Sequence, residues 1–307
     1  EDRRTHFDIK EAETLAEGQK LIERIYFGAA LLDLNLPDSS GLTTFETLRD
    51  FVPGLPIVVL TGQYDEELGL NAVEEGAQDY LIKGEVHGDL LGRSIRYAIG
   101  RKSAERHLDL ERRVLKRLSP APLDDETLQN VLGEIYADLP LAAIGLRLQR
   151  NNNWPFVAHV GFPSEILPET SDLTLRDEEG HPILNDDGQL RLRCLCGMVI
   201  SGALPTNRPY VSERGTFWTN NISSVIEELT CEAGHEGDVT CFPECGSESI
   251  ALVPIPDHKR HAGLLYFCLG KTHVLDRAMV DFLEELADSI GIALARQRLT
   301  DELRTYT

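Results

Sequence analysis

Three short apolar runs, each ending in a different polar residue, constrain this chain more than any other feature. Phe27 to Asp33 (FGAALLD) ends in a carboxylate and leads into a Pro/Ser/Gly turn that closes at Gly41. Leu55 to Leu60 (LPIVVL) delivers Thr61 followed by Gly62, and Ala77 to Ile82 (AQDYLI) delivers Lys83 followed by Gly84. Runs of this length and apolarity read as strands of a parallel sheet covered on both faces. In open α/β sheets, ligands bind beyond the C-terminal ends of the strands. If the three runs are neighbours, a carboxylate, a hydroxyl and an ammonium converge on one edge. Together they suit phosphoryl chemistry: a nucleophile, a donor to a phosphoryl oxygen, and a fixed positive charge beside the transferring group.

That order of Asp, Thr and Lys at three successive strand ends resembles the receiver domain of two-component response regulators. Pro37 and Gly41 stand where that family carries its turn proline and glycine, and Tyr80, three residues before the lysine, matches its aromatic switch position. The resemblance covers about the first hundred residues and implies a flavodoxin-like α/β fold. It implies that Asp33 accepts phosphate from a histidine kinase or phosphotransfer protein, with Thr61 and Lys83 completing the catalytic set. It also implies that the backbone carbonyl of Asn35 ligates Mg²⁺, and that Tyr80 rotates inward when Thr61 moves toward the phosphoryl group. Gly84 departs from the family, many of whose members have a cis proline after the lysine.

A receiver begins with a strand that carries the acidic pair for the divalent ion, then a first helix. This chain starts after both. Glu1 to His6 is expected to be the tail of the first helix, Phe7 to Ala12 the second strand and Thr14 to Ile25 the second helix. The missing strand would lie between the second and third, leaving unpaired backbone in the sheet. Two explanations stay open: a fragment of a longer reading frame, or a degenerate domain that cannot hold Mg²⁺ normally. Glu1 and Asp2 precede the second strand and are not the acidic pair. Helices are expected over 41–51, with Leu42, Phe45 and Leu48 on one face, and over 65–75, ending at Gly76.

With 51 acidic against 30 basic residues the formal charge is −21. That excess argues against a nucleic-acid or anionic-membrane surface, which needs a basic footprint. No apolar run reaches membrane-spanning length, and the charged start EDRRTHFD is no signal peptide. A cytoplasmic protein is expected. In a reducing compartment, clustered cysteines are more often metal ligands, redox sensors or core residues than structural disulfides.

Length leaves room for a second domain. Asp89 to about Leu118 reads as one helix, with Leu90, Tyr97, Ala104, Leu108, Leu115 and Leu118 on a rough heptad register. Its second half resembles the coiled-coil signalling helix that joins input modules in sensor proteins. Either a homodimer through helices or a single solvated linker would suit it, since Ser94, Arg101 and Glu111 interrupt the seam. The expected division is a receiver over 1–100, a helical linker over 101–124 and a second domain over 125–307, with SPAPLDD at Ser119 to Asp125 as the break.

Beyond the break come a helix (126–139), a hairpin (142–149 and 155–160), a long polar insertion, CLCGMVISG at Cys194 to Gly202, strands at 248–255 and 261–269, and a closing helix over 276–303. This succession, with "CGMVISGALPTNRPYVS", "GTFWTNN" and "CGSESIALVPI", resembles the GAF fold, and more narrowly a Cys-containing subgroup from bacterial histidine kinases. The resemblance implies an α+β domain with an antiparallel sheet and a small-molecule or metal ligand.

Cys194, Cys196, Cys231, His235, Cys241 and Cys245 crowd into about fifty positions. Their density suits a Zn²⁺ site or a small iron–sulfur cluster, although the spacing matches no known finger or ferredoxin run. Reversible redox thiols and buried structural residues are the alternatives; Cys268, within a strand, reads as core. Trp218, Phe217, Tyr210 and Asn220 either line a ligand cavity or anchor the loop on the sheet. His159, His181, His235, His258 and His261 form no metal or catalytic spacing. No kinase, cyclase or helix-turn-helix motif is present, so no enzyme activity of its own is expected.

Overall fold

The computed structural model describes residues 7–25, 27–62, 65–119, 122–151, 153–163, 172–185, 188–233, 247–257, 261–270 and 275–305. The chain divides into two compact units, residues 1–109 and 110–307.

In the first unit the elements are α1 (Leu15–Ile22), β1 (Ala30–Asp33), a short ribbon of β2 (Asn35–Leu36) and β3 (Ser39–Ser40), α2 (Leu42–Phe51), β4 (Ile57–Thr61), α3 (Glu66–Glu74), β5 (Asp79–Ile82) and α4 (Gly88–Leu118). Strands β1, β4 and β5 form a parallel sheet in that order. Alternation along β4 assigns its faces. Ile57 and Val59 point into a core shared with Leu15, Phe45, Leu48 and Ala72 from α1, α2 and α3. Val58 points the other way, toward Leu81 and toward Ala98 of α4. The expected strand over 7–12 does not form: residues 7–12 have no strand assignment. Strand ladders need a neighbour, and β1 pairs only with β4 among the described strands. The helix expected over 14–25 is shorter, with Thr14 as N-cap accepting from the Glu17 amide and Asp38 accepting from the Leu15 and Ala16 amides.

The second unit adds α5 (Asp125–Asp138), β6 (Leu141–Leu148), β7 (Phe156–Val160), α6 (Cys194–Ser201), β8 (Phe217–Thr219), α7 (Ile222–Ala233), β9 (Ile250–Pro256), β10 (His261–Leu269) and α8 (Arg277–Thr305). Its antiparallel sheet runs β7-β6-β10-β9-β8. Ile144, Leu146, Val253, Leu265 and Phe267 face one core with α5, α8 and the end of α4. Ala143, Leu252, Leu264, Tyr266 and Cys268 face another, roofed by Leu195, Cys196 and Val199 of α6. The last turns of α4 are therefore core, through Leu110, Val114 and Leu118. The heptad seam read from the sequence is split between environments: Leu118 is buried, whereas Tyr97, Leu108 and Leu115 are exposed.

The polar insertion has its own order. Ile183 N–H donates to Leu175 O, Arg191 N–H to Ile183 O, and Leu175 N–H to Arg191 O, each at 2.8 Å. Three chain passes spaced eight residues apart thus close a ring of backbone bonds. Gly180 and Gly188 take the positive φ that the two intervening turns require. Strand β8 lies within, and helix α7 begins within, the loop that carries Tyr210, Phe217, Trp218 and Asn220. No helix among the described residues is long and apolar enough to cross a membrane.

Candidate phosphoacceptor site and second-unit core

The carboxylate of Asp33 sits at the C-terminal end of β1, in register with Leu60, while Leu60 and Thr61 are in register with Leu81 and Ile82. The pairing carries Asp33, Thr61 and Lys83 to one edge of the sheet. Lys83 Nζ donates to Asp33 Oδ2 at 2.5 Å, and the Asn35 amide donates to Oδ1 at 3.0 Å. Side-chain exposures of 44% for Lys83 and 31% for Asp33 leave the pair open to solvent. Lys83 is further fixed by its own amide, which donates to Thr61 O at 2.8 Å.

Thr61 is buried, and its hydroxyl oxygen lacks a hydrogen-bond partner among the described residues. Buried polar atoms are nearly always satisfied. The Thr61 hydroxyl is an exception to that rule, at the end of β4. Tyr80 lies two residues before the end of the pairing, its ring against Gly69 of α3 and its hydroxyl donating to Glu66 at 3.3 Å.

The oxygen donors that suit a hard cation here are Asp33 and the Asn35 carbonyl. Both oxygens of Asp33 already accept hydrogen bonds, and no cluster of three potential metal-binding side chains among the described residues includes Asp33. These residues do not by themselves make a Mg²⁺ site.

In the second unit the cysteines do not gather as a ligand set. Cys194 and Cys268 are both disulfide-linked. A sulfur in a disulfide is no thiolate ligand, so the metal role of Cys194 fails, and Cys268 is more than a core residue. Cys196 is a free, buried thiol hydrogen-bonded with Arg147; burial pushes its pKa up, and the guanidinium works against that rise. His235, Cys241 and Cys245 lie outside the described residues, as does the side chain of Cys231.

Sequence reasoning missed Arg147. It occupies the sheet face opposite Leu146 and Leu148 and is fully buried. Its guanidinium lies 3.8 Å from the centroid of Phe156, donates to Trp154 O at 2.7 Å, and has its pKa lowered by burial. An arginine in a run otherwise reading LAAIGLRL was the available signal. The aromatic loop residues act as anchors: Phe217 and Tyr210 pack in the core beneath α6, Trp218 packs against the opposite core, and Asn220 exchanges hydrogen bonds with both backbone groups of Leu275. The exposed side chains of Asp177, Glu179 and His181 come together at a turn of the insertion, a grouping the histidine spacing did not suggest.

The chain is 42% identical over 77 residues to the photosynthetic apparatus regulatory protein RegA of Rhodovulum sulfidophilum, covering 25% of this chain and 42% of that protein. It is 30% identical over 96 residues to the C4-dicarboxylate transport transcriptional regulatory protein DctD of Rhizobium meliloti, covering 31% of this chain and 20% of that one. It thus spans less than half the length of these relatives. Similar solved structures include a response regulator receiver domain protein from Clostridium thermocellum (28% identity, TM-score 0.28, 30% of this chain and 75% of that one). They also include the GAF domain of a phosphoenolpyruvate-protein phosphotransferase from Coxiella burnetii (17% identity, TM-score 0.43, 65% of this chain and 98% of that one). Residues 2–94 match the family model of the response regulator receiver domain, and that segment is a receiver domain of two-component signalling.

Proposed function

We propose that this protein is a phosphoryl acceptor in a phosphorelay, taking the group onto Asp33 from a histidine kinase or phosphotransfer protein and passing the change to a GAF-type sensory unit. The observation that carries the reading is the junction of Asp33, Lys83 and the unsatisfied Thr61 hydroxyl at one sheet edge. Attack by a carboxylate oxygen on phosphorus displaces the donor's leaving group. Lys83 then neutralises the charge gained, and Thr61 donates to a phosphoryl oxygen. Helix α4 starts six residues after Ile82 and runs unbroken to Leu118 in the core of the second unit, giving the signal a covalent route. The chain serves as acceptor and sensor rather than as a kinase or cyclase, in the cytoplasm. A second copy would cover exposed Ile292, Leu299 and Leu303 of α8, which recur at intervals of seven and four.

Incubation with radiolabelled acetyl phosphate and Mg²⁺ tests the acceptor role. An acid-stable, base-labile acyl phosphate that disappears in Asp33→Asn supports it; label that survives this substitution, or no label, refutes it. The second outcome would favour a receiver kept as a scaffold for the sensory unit, a reading supported by the engagement of both Asp33 oxygens.

A further inference from the structure

The first residue of α6, Cys194, has φ of +60°, one of two positive values at non-glycine residues in the described chain. A left-handed residue with a Cβ is strained and persists only where its surroundings over-determine it. No side chain caps this helix start. Instead the chain is pinned just before Cys194, where the Arg193 amide donates to Leu173 O at 2.8 Å and Arg193 Nε donates to Asp172 O at 2.7 Å. It is pinned at Cys194 by the disulfide. Two residues on, Cys196 lies buried against Arg147.

We infer that the Cys194 disulfide is a thiol-responsive switch that sets the first turn of α6 and thereby the burial of Cys196. The reactant class is a dithiol reductant. Its thiolate attacks the half-buried Cys194 sulfur, forming a mixed disulfide and releasing the partner cysteine as a thiolate that takes up a proton. The second thiol of the reductant then displaces Cys194. The balance is one protein disulfide and one dithiol giving two protein thiols and one oxidised reductant. Attack falls on the Cys194 sulfur because that residue is half-buried rather than enclosed in the core. Freed of its bond, Cys194 returns to a negative φ, the first turn rewinds, and Cys196 loses its fixed place. This switch does not depend on phosphoryl transfer to Asp33.

Peptide mapping of the full chain, with alkylation before and after dithiothreitol, tests the inference. In oxidised protein Cys194 should resist alkylation and Cys196 should react slowly; after reduction, Cys196 should be alkylated at least about tenfold faster, the factor that 1.4 kcal/mol represents. Two variants separate backbone release from simple loss of the bond. Cys194→Ala should expose Cys196 as reduction does, whereas Cys194→Gly, free to keep φ near +60°, should keep it slow. A free Cys194 in oxidised protein, an unchanged Cys196 rate after reduction, or identical behaviour of the Ala and Gly variants would each overturn the inference.

Discussion

Gly69 lies so close beneath Tyr80 that a Cβ there would stand 2.6 Å from Tyr80 Cδ2 and 3.0 Å from Thr61 Cγ2. The absent side chain lets the ring rest on α3 with its hydroxyl at Glu66. Gly69→Ala should force the ring away, at a cost of about 1–3 kcal/mol for overpacking, partly offset by alanine's better helix propensity. Tyr80→Ala should remove most of that penalty. Urea denaturation of the two single variants and the double variant gives the coupling; additive effects would mean that ring and helix do not press on each other.

Thr61 calls for opposite signs in stability and activity. Its buried hydroxyl has no described partner, and leaving such a group unsatisfied costs about 1–3 kcal/mol. Thr61→Val keeps the shape and removes the unsatisfied oxygen, so the unphosphorylated protein should gain about 1 kcal/mol by the same reasoning. The variant should also lose phosphorylation rate or acyl-phosphate lifetime, measured with radiolabelled acetyl phosphate. A destabilised Thr61→Val would show that the hydroxyl is already satisfied in solution.

The receiver site was legible because its parts are local. Each of Asp33, Thr61 and Lys83 ends its own apolar run, and parallel pairing then brings the ends together. Helix α2 followed from the apolar spacing of Leu42, Phe45 and Leu48, and the end of α3 from Gly76. The three-pass ring at Leu175, Ile183 and Arg191 was hidden, because its order lies in backbone bonds between polar segments and leaves no apolar period. Arg147 was hidden by the opposite effect: one charge inside an apolar strand does not say whether it snorkels or is buried. Cysteine density alone could not separate ligands from disulfide-linked or buried residues: Cys194 is disulfide-linked and Cys196 is a buried free thiol, while the remaining candidates lie outside the described residues.

Acid should loosen helix starts in both units. The carboxylate of Asp38 is held below its ordinary pKa of 3.8, first by the amide of Ala16 and then by that of Leu15. Asp124 is held low by the hydroxyl and amide of Thr127 at the start of α5. For a depressed carboxylate the stabilisation is fully present above the unfolded value and is lost as pH falls through the folded one. Amide exchange in α1 and α5, corrected for intrinsic rates, should therefore be flat above about pH 5 and accelerate below about pH 4. Asp38→Asn should flatten the α1 profile and leave α5 unchanged. A pH-dependent α1 in that variant would place the titrating group elsewhere.

Ser212 and Glu284 join the loop before β8 to the first third of α8. Ser212 Oγ donates to Glu284 Oε1 at 2.6 Å and accepts from the amides of Arg214 at 3.2 Å and Thr216 at 3.1 Å, with both residues buried. Arg214 adds an ion pair with Asp288 and a longer one with Glu284 at 3.7 Å. Ser212→Ala removes the donor from a buried carboxylate and the acceptor from two amides, so it should cost about 2–3 kcal/mol. Glu284→Gln keeps an acceptor for the serine and Arg214 keeps Asp288, so about 1 kcal/mol is expected. Both tryptophans, Trp154 and Trp218, lie in the second unit, and their fluorescence in a urea titration reports its unfolding. The two variants should separate by a clear shift in midpoint with an unchanged slope. If Ser212→Ala matched Glu284→Gln, the serine would be a spectator and Arg214 alone would tie the loop to α8.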